Sequence, residues 1–214
     1  MQINTLTVGS LQTNCYLITD ETTRKTLIID PGDEADFIST TILENKLIPQ
    51  AILLTHGHYD HCLGILELKL NFNIPILLHK KDLFLYQNAH QSSSFWSKNK
   101  NTTSTICNLR SSLPPIDSHL ADNQTIIFGY STLKVIHTPG HTPGSCCFLV
   151  SPSETYLFTG DTLFATGPGS TEHKYSSKSE LQNSLFRLQS TTYKLPKPIL
   201  IYPGHEEFGH VIKL

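Results

Sequence analysis

The stretch Ala51-Ile52-Leu53-Leu54-Thr55-His56-Gly57-His58-Tyr59-Asp60-His61 decides how this chain is read. Its first four residues form an apolar run, the pattern of a buried strand. Four of the next seven side chains can bind a metal, so they form a loop that leaves a strand end. With glycine between them, His56 and His58 can turn both imidazoles towards one point. The spacing predicts a helix over residues 60–70, with Asp60 and His61 on its first turn. Imidazole and carboxylate are ligands that zinc, iron and manganese accept without thiolate. A merely polar loop does not account for this density of ligands.

Working outward, strands are predicted at 2–8, 14–19 and 25–29, the last ending at the turn Asp30-Pro31-Gly32. A helix follows over 34–46, with Phe37, Ile38, Ile42 and Leu43 at helical spacing. Beyond the ligand loop come a strand at 74–78 and a short helix at 81–88. Such alternation argues for α/β layers. Over about 86–112 the pattern dissolves into Ser, Asn, Lys and Thr around Phe95-Trp96. The segment reads either as an exposed insertion or as a lid in which Phe95 and Trp96 cover an active site. Hairpins are then predicted from 125–128 with 133–136 and from 146–150 with 155–158. A helix at 179–189 and a last strand at 198–202 follow. Strands, then helix, then strand occur in each half, a hint of two related halves. A single domain over 1–214 is expected.

Charged residues make up 16% and hydrophobic residues 38%, a balance that suits a globular protein rather than a disordered one. A net charge of -2 supplies no global basic field, which argues against nucleic acid as a partner. The five cysteines are odd in number and form no CxxC pair, which argues against a disulfide framework. The N-terminus lacks a signal-peptide pattern, and no apolar run reaches the length of a membrane span. A cytoplasmic protein with reduced thiols and a small-molecule substrate is expected.

Three later segments share the form of the first loop. Val135-Ile136-His137-Thr138-Pro139-Gly140-His141, Leu157-Phe158-Thr159-Gly160-Asp161 and Ile199-Leu200-Ile201-Tyr202-Pro203-Gly204-His205 each leave a strand and present one ligand. With the first loop the set is His56, His58, Asp60, His61, His141, Asp161 and His205. That is too many for one tetrahedral zinc, and it suits two divalent ions sharing a carboxylate. Asp161 is the natural bridge, because a carboxylate has two oxygens to offer. Zinc is the first expectation, with iron or manganese as alternatives. Metal binding lowers the pKa of water towards 7, so the expected chemistry is hydrolysis by a hydroxide between the metals.

At this point the sequence resembles the metallo-β-lactamase superfamily, and within it the glyoxalase II-like hydrolases. The matching pieces are Thr13-Asn14-Cys15-Tyr16, Ile28-Ile29-Asp30-Pro31-Gly32, Thr55 to His61, His137 to Ser145, Thr159-Gly160-Asp161-Thr162-Leu163-Phe164 and Tyr202-Pro203-Gly204-His205. The resemblance implies a four-layer αββα sandwich with the metals at one edge. It implies that His56, His58 and His141 hold the first metal, that Asp60, His61 and His205 hold the second, and that Asp161 bridges. Asp60 would also orient the metal-bound hydroxide. Asp30 would orient a ligand histidine, or else simply form its turn.

Departures from the family bear on the substrate. Ser170 stands where a basic residue is usual, and Glu172 at a position usually given to tyrosine. Both belong with His173 to the candidate substrate contacts. The C-terminal helical domain that completes a glutathione site is not expected, since the chain stops nine residues after His205. The leading expectation is a dinuclear hydrolase of a small thioester or ester. The alternative is a mononuclear iron oxidoreductase, like the persulfide dioxygenases, using His56, His141 and Asp161.

Overall fold

A computed structural model describes residues 1–98, 113–151, 154–193, 195 and 198–212. One mixed sheet contains β1 (Gln2–Val8), β2 (Thr13–Thr19), β3 (Lys25–Ile29), β4 (Ile48–Leu53), β5 (Ile76–His79) and β6 (Ser118–Leu120), in that spatial order. The first three strands run antiparallel and the last four are parallel, β3 belonging to both sets. The second sheet is built from β7 (Thr125–Phe128), β8 (Ser131–His137), β9 (Cys146–Val150), β10 (Thr155–Gly160), β13 (Ile199–Pro203) and β14 (His210–Ile212). Its order is β14-β13-β10-β9-β8-β7. A two-stranded ribbon, β11 (Leu163–Phe164) with β12 (Gly167–Pro168), projects beyond β10. The helices are α1 (Ala35–Glu44), α2 (Ile65–Phe72), α3 (Leu83–Gln87), α4 (Ala89–Lys98) and α5 (Lys178–Thr192).

Strand period sorts the apolar residues into layers. Every residue of β2 is buried, and its side chains alternate between two cores. Tyr16 and Ile18 face the second sheet, where they meet Phe148 and Phe158. Cys15 and Leu17 face the opposite way, in the core that holds Ile38 and Ile42 of α1 and Ile65 and Leu68 of α2. On the far face of the second sheet, Leu188 of α5 packs with Leu149, Leu157 and Ile201. The result is helix, sheet, sheet, helix: the expected αββα sandwich. Among the described residues, no helix is long and apolar enough to cross a membrane.

The recurring pattern of strands, helix and strand is also present. In the first sheet β3 leads through α1 to its parallel neighbour β4, and in the second β10 leads through α5 to its parallel neighbour β13. The four strand ends of these two units lead to Asp30, the first histidine loop, Asp161 and His205.

Several local expectations are corrected. Asp60 and His61 are not on the first turn of a helix. They sit in a separate 3₁₀ turn, Tyr59–His61, and α2 begins only at Ile65. Close backbone contact explains the break: a Cβ on Gly64 would stand 2.9 Å from the Pro31 carbonyl oxygen. The strand at 198–202 is not the last, because β14 pairs with it. The stretch read as patternless after residue 87 is helical over Ala89–Lys98. The remainder of the predicted insertion, and the side chains of Phe95 and Trp96 invoked for a lid, lie outside the described residues.

Candidate metal centre

The sandwich delivers its chemistry along one edge. The loop after β4 supplies His56, His58, Asp60 and His61; the turn between β8 and β9 supplies His141. Asp161 follows β10 and His205 follows β13. Glycine is required where these loops meet. A Cβ on Gly204 would lie 2.3 Å from Asp161 Oδ1 and 2.7 Å from His61 Cε1. Gly160 adopts φ +48 directly against Thr55.

Ligand atoms gather in three overlapping groups. His56, His58, His141 and Asp161 form the first, Asp60, His61 and His205 the second, and Asp30, His56 and His61 a third that links them. In the first, His58 Nδ1 lies 2.9 Å from His56 Nε2 and 3.1 Å from His141 Nε2. In the second, His205 Nε2 lies 3.3 Å from both His61 Nε2 and Asp60 Oδ2. With metal–nitrogen bonds of about 2.0–2.1 Å, tetrahedral ligands stand roughly 3.3 Å apart, so these separations fit a divalent ion. Asp161 faces the first two groups: Oδ2 is 3.5 Å from His141 Nε2 and Oδ1 is 3.5 Å from His61 Nε2. Asp161 Oδ1 is buried and, among the described residues, accepts no hydrogen bond. An orphaned carboxylate oxygen is costly unless a cation completes it.

The histidines are aimed by their other nitrogens. Asp30, itself at φ +49, accepts from the Thr55 amide at 2.8 Å and the Thr55 hydroxyl at 2.5 Å. Having given its proton to Asp30, the Thr55 hydroxyl accepts from His56 Nδ1 at 3.0 Å. Asp30 Oδ2 also accepts from His61 Nδ1, at 3.0 Å. His141 Nδ1 donates to the Ser170 carbonyl at 2.8 Å and His205 Nδ1 to the Leu11 carbonyl at 3.1 Å. His58 is turned the other way round, with Nε2 against the Tyr175 hydroxyl at 2.7 Å. In all five, the other nitrogen is the one that faces the centre. Asp30 thus contacts His61 directly and His56 through the Thr55 hydroxyl.

Charge divides the two groups. Burial and the neighbouring His141 push His58 down to about 3. Burial also depresses His56, and the surrounding imidazoles add to it. For His61 burial opposes protonation, but Asp60, Asp161 and Asp30 outweigh it and raise the imidazole to about 10. Asp60 is held below its ordinary range: burial works against ionisation, and the adjacent His61 and His205 overcome it.

Two sets of supports were not anticipated from sequence. Asp82, fully buried at the start of α3, accepts from the Gly57 amide at 3.0 Å, the Thr142 hydroxyl at 2.6 Å and the Gly144 amide at 2.6 Å. It therefore ties the His56–His58 loop to the His141 turn. On the other side, Asn14 Nδ2 donates to the carbonyls of Pro203 and Glu206 at 3.2 and 2.9 Å. Tyr16 donates to the same Pro203 carbonyl at 2.5 Å. The Thr13-Asn14-Cys15-Tyr16 motif of β2 is thus a clamp on the His205 turn.

A cavity of ≈ 400 Å³ opens on His58, Asp60, His141 and Asp161. Ser170 and His173 line it, while Glu172 is not among its lining residues. Tyr175, which sequence reasoning missed, lines it too. The one signal available was its place on the loop after Asp161. His137 is turned away and stacks on His79, ring centroids 4.1 Å apart.

A sandwich whose edge gathers histidines and aspartates from both sheets defines a metal-binding α/β protein. The model of the metallo-beta-lactamase superfamily matches residues 8–205, and the chain belongs to that superfamily. It is 34% identical to the probable polyketide biosynthesis zinc-dependent hydrolase PksB of Bacillus subtilis, over 93% of this chain and 76% of that protein. It is 30% identical to the hydroxyacylglutathione hydrolase GloC of Haemophilus influenzae, over 97% and 92%. Among solved structures it is similar to the BLEG-1 B3 metallo-beta-lactamase, with a TM-score of 0.80 and 28% identity over 96% of this chain and 92% of that one. TTHA1623 in a di-iron-bound form gives a TM-score of 0.76 at 31% identity, over 95% and 92%.

Proposed function

We propose that this protein is a hydrolase that uses two divalent ions, zinc first, to cleave a small thioester or ester. The observation that carries the reading is the meeting of two ligand groups at Asp161, whose buried Oδ1 has no hydrogen bond among the described residues. His56, His58 and His141 would hold one ion, Asp60, His61 and His205 the other, with Asp161 shared. Bound divalent ions lower the pKa of water towards 7 and polarise an acyl oxygen. Asp60 lines the cavity and orients the attacking water. Similarity to PksB, a probable zinc-dependent hydrolase, and to GloC, a hydroxyacylglutathione hydrolase, supports this class. Glutathione is not favoured as leaving group, because Ser170 offers the cavity no positive charge. We place the protein in the cytoplasm, as one domain acting on a small molecule without nucleic acid. The buried free thiols Cys15, Cys62, Cys146 and Cys147 agree with a reducing compartment.

A second reading, a mononuclear iron oxidoreductase using His56, His141 and Asp161, draws on the iron in TTHA1623, which matches it in metal and not in number, that form being di-iron. One preparation distinguishes them. Metal analysis is expected to find about two ions per chain, and a panel of thioesters, esters, a β-lactam and a persulfide to show thioester or ester hydrolysis. His58→Ala is expected to lose both metal and turnover. Protein that is metal-free when purified without chelator would sink the proposal; oxygen uptake with the persulfide would replace it by the second reading.

A further inference from the structure

Tyr175 lines the cavity, and its hydroxyl is held against His58. His58 Nδ1 is the nitrogen that converges with His56 Nε2 and His141 Nε2, so it carries the lone pair and Nε2 carries the proton. The Nε2–H therefore donates to Tyr175 at 2.7 Å, and the phenol acts there as acceptor. Its own proton is not used on His58, and among the described residues the hydroxyl has no second hydrogen-bond partner. The ring is pinned on two sides. It stacks on His173 at 10° and 5.2 Å, and meets Phe84 edge-on at 5.6 Å. Tyr175 shares the cavity wall with Asp60, His141 and Asp161, where an acyl group must sit to be attacked.

From this we infer that Tyr175 is a catalytic residue: its O–H donates a hydrogen bond to the substrate oxygen on which negative charge develops. The inference rests on the hydrolase reading above. Accepting from a histidine N–H strengthens a hydroxyl as donor, because chained hydrogen bonds polarise one another. A pre-aimed donor of this kind acts in the transition state more than in the ground state.

Tyr175→Phe keeps both ring contacts and removes only the hydroxyl. With the zinc-loaded full chain, it is expected to lower kcat about 100-fold with little change in KM. Zinc content and affinity are expected to stay within about threefold of the parent. A readout independent of turnover is acetohydroxamate, a small oxyanion, titrated calorimetrically into the zinc-loaded protein; its Kd is expected to rise about tenfold in the variant. Unchanged kcat and hydroxamate affinity would overturn the inference. So would a loss of zinc that accounts for the whole loss of activity, since the hydroxyl would then only position His58. If the parent protein binds zinc and acetohydroxamate but hydrolyses nothing in the panel, the hydrolase reading fails, and the hydroxamate comparison still decides whether Tyr175 is an oxyanion donor.

Discussion

The two ligand groups draw on one loop, yet they are built differently. The first is three imidazoles and a shared carboxylate, clamped by Asp82 from the edge of α3. The second has Asp60 as its own carboxylate and is clamped by Asn14 and Tyr16 of β2. Asp30 bears directly on the second group through His61 and reaches the first only through the Thr55 hydroxyl. The carboxylates are therefore unevenly spread, and the imidazoles respond in opposite directions: His58 falls to about 3 and His61 rises to about 10. Neighbouring ligands of one chemical type thus acquire different proton affinities from the charges the fold places beside them.

The largest expected consequence is in pH. Without metal, Asp60, Asp161 and Asp30 raise His61 to about 10, so an ion binding near pH 7 is expected to displace a proton from it. Affinity of the second group should therefore rise about tenfold per pH unit from pH 7 towards 10, or roughly 100-fold between pH 7 and 9. His58 is already neutral over that range, so the first group should show no such slope. Zinc titrations against a competing chelator at several pH values would measure this, and equal slopes for the two ions would break the contrast.

Next comes Asp82→Ala. It strands two amides and a hydroxyl, at about 1–3 kcal/mol for each buried group, so a loss of about 3 kcal/mol or more is expected in denaturant unfolding. Zinc affinity of the first group should fall 10–100-fold while the second changes little. Asn14→Ala should do the reverse on a smaller scale, weakening the second group by about tenfold in the same titration. The smallest effect is expected from Tyr16→Phe, which removes one hydrogen bond to Pro203 and should cost about 1 kcal/mol, visible as a small drop in Tm. If the Asp82 and Asn14 variants weaken both groups equally, the two clamps are not separate.

Much of the sandwich was legible because its strands are buried on both faces and its helices carry an apolar stripe. β2, β4 and α1 stand out on that ground. Boundaries were less legible near the centre. Asp60 and His61 have helix-compatible neighbours, and only the approach of the Pro31 carbonyl shows why α2 starts later. α4 was missed because its serines and its low apolar content hide an amphipathic pattern that is nonetheless present. Asp82 looks like any acid at a helix start, and nothing near it in sequence names Gly57, Thr142 or Gly144 as its donors. Tyr175 lies 117 positions from the histidine it touches.

The sequence by itself determined the kind of ligand, the strand ends that carry them and the two-sided sandwich, because side-chain chemistry and hydrophobic period are local properties. Only the tertiary structure decided which nitrogen of each histidine faces the centre, which carboxylates raise His61 while His58 is depressed, and that Asp82 and Tyr175 belong to the site at all. Those outcomes depend on distances of about 3 Å between residues far apart in the chain, and on burial that strengthens each charge contact by removing water.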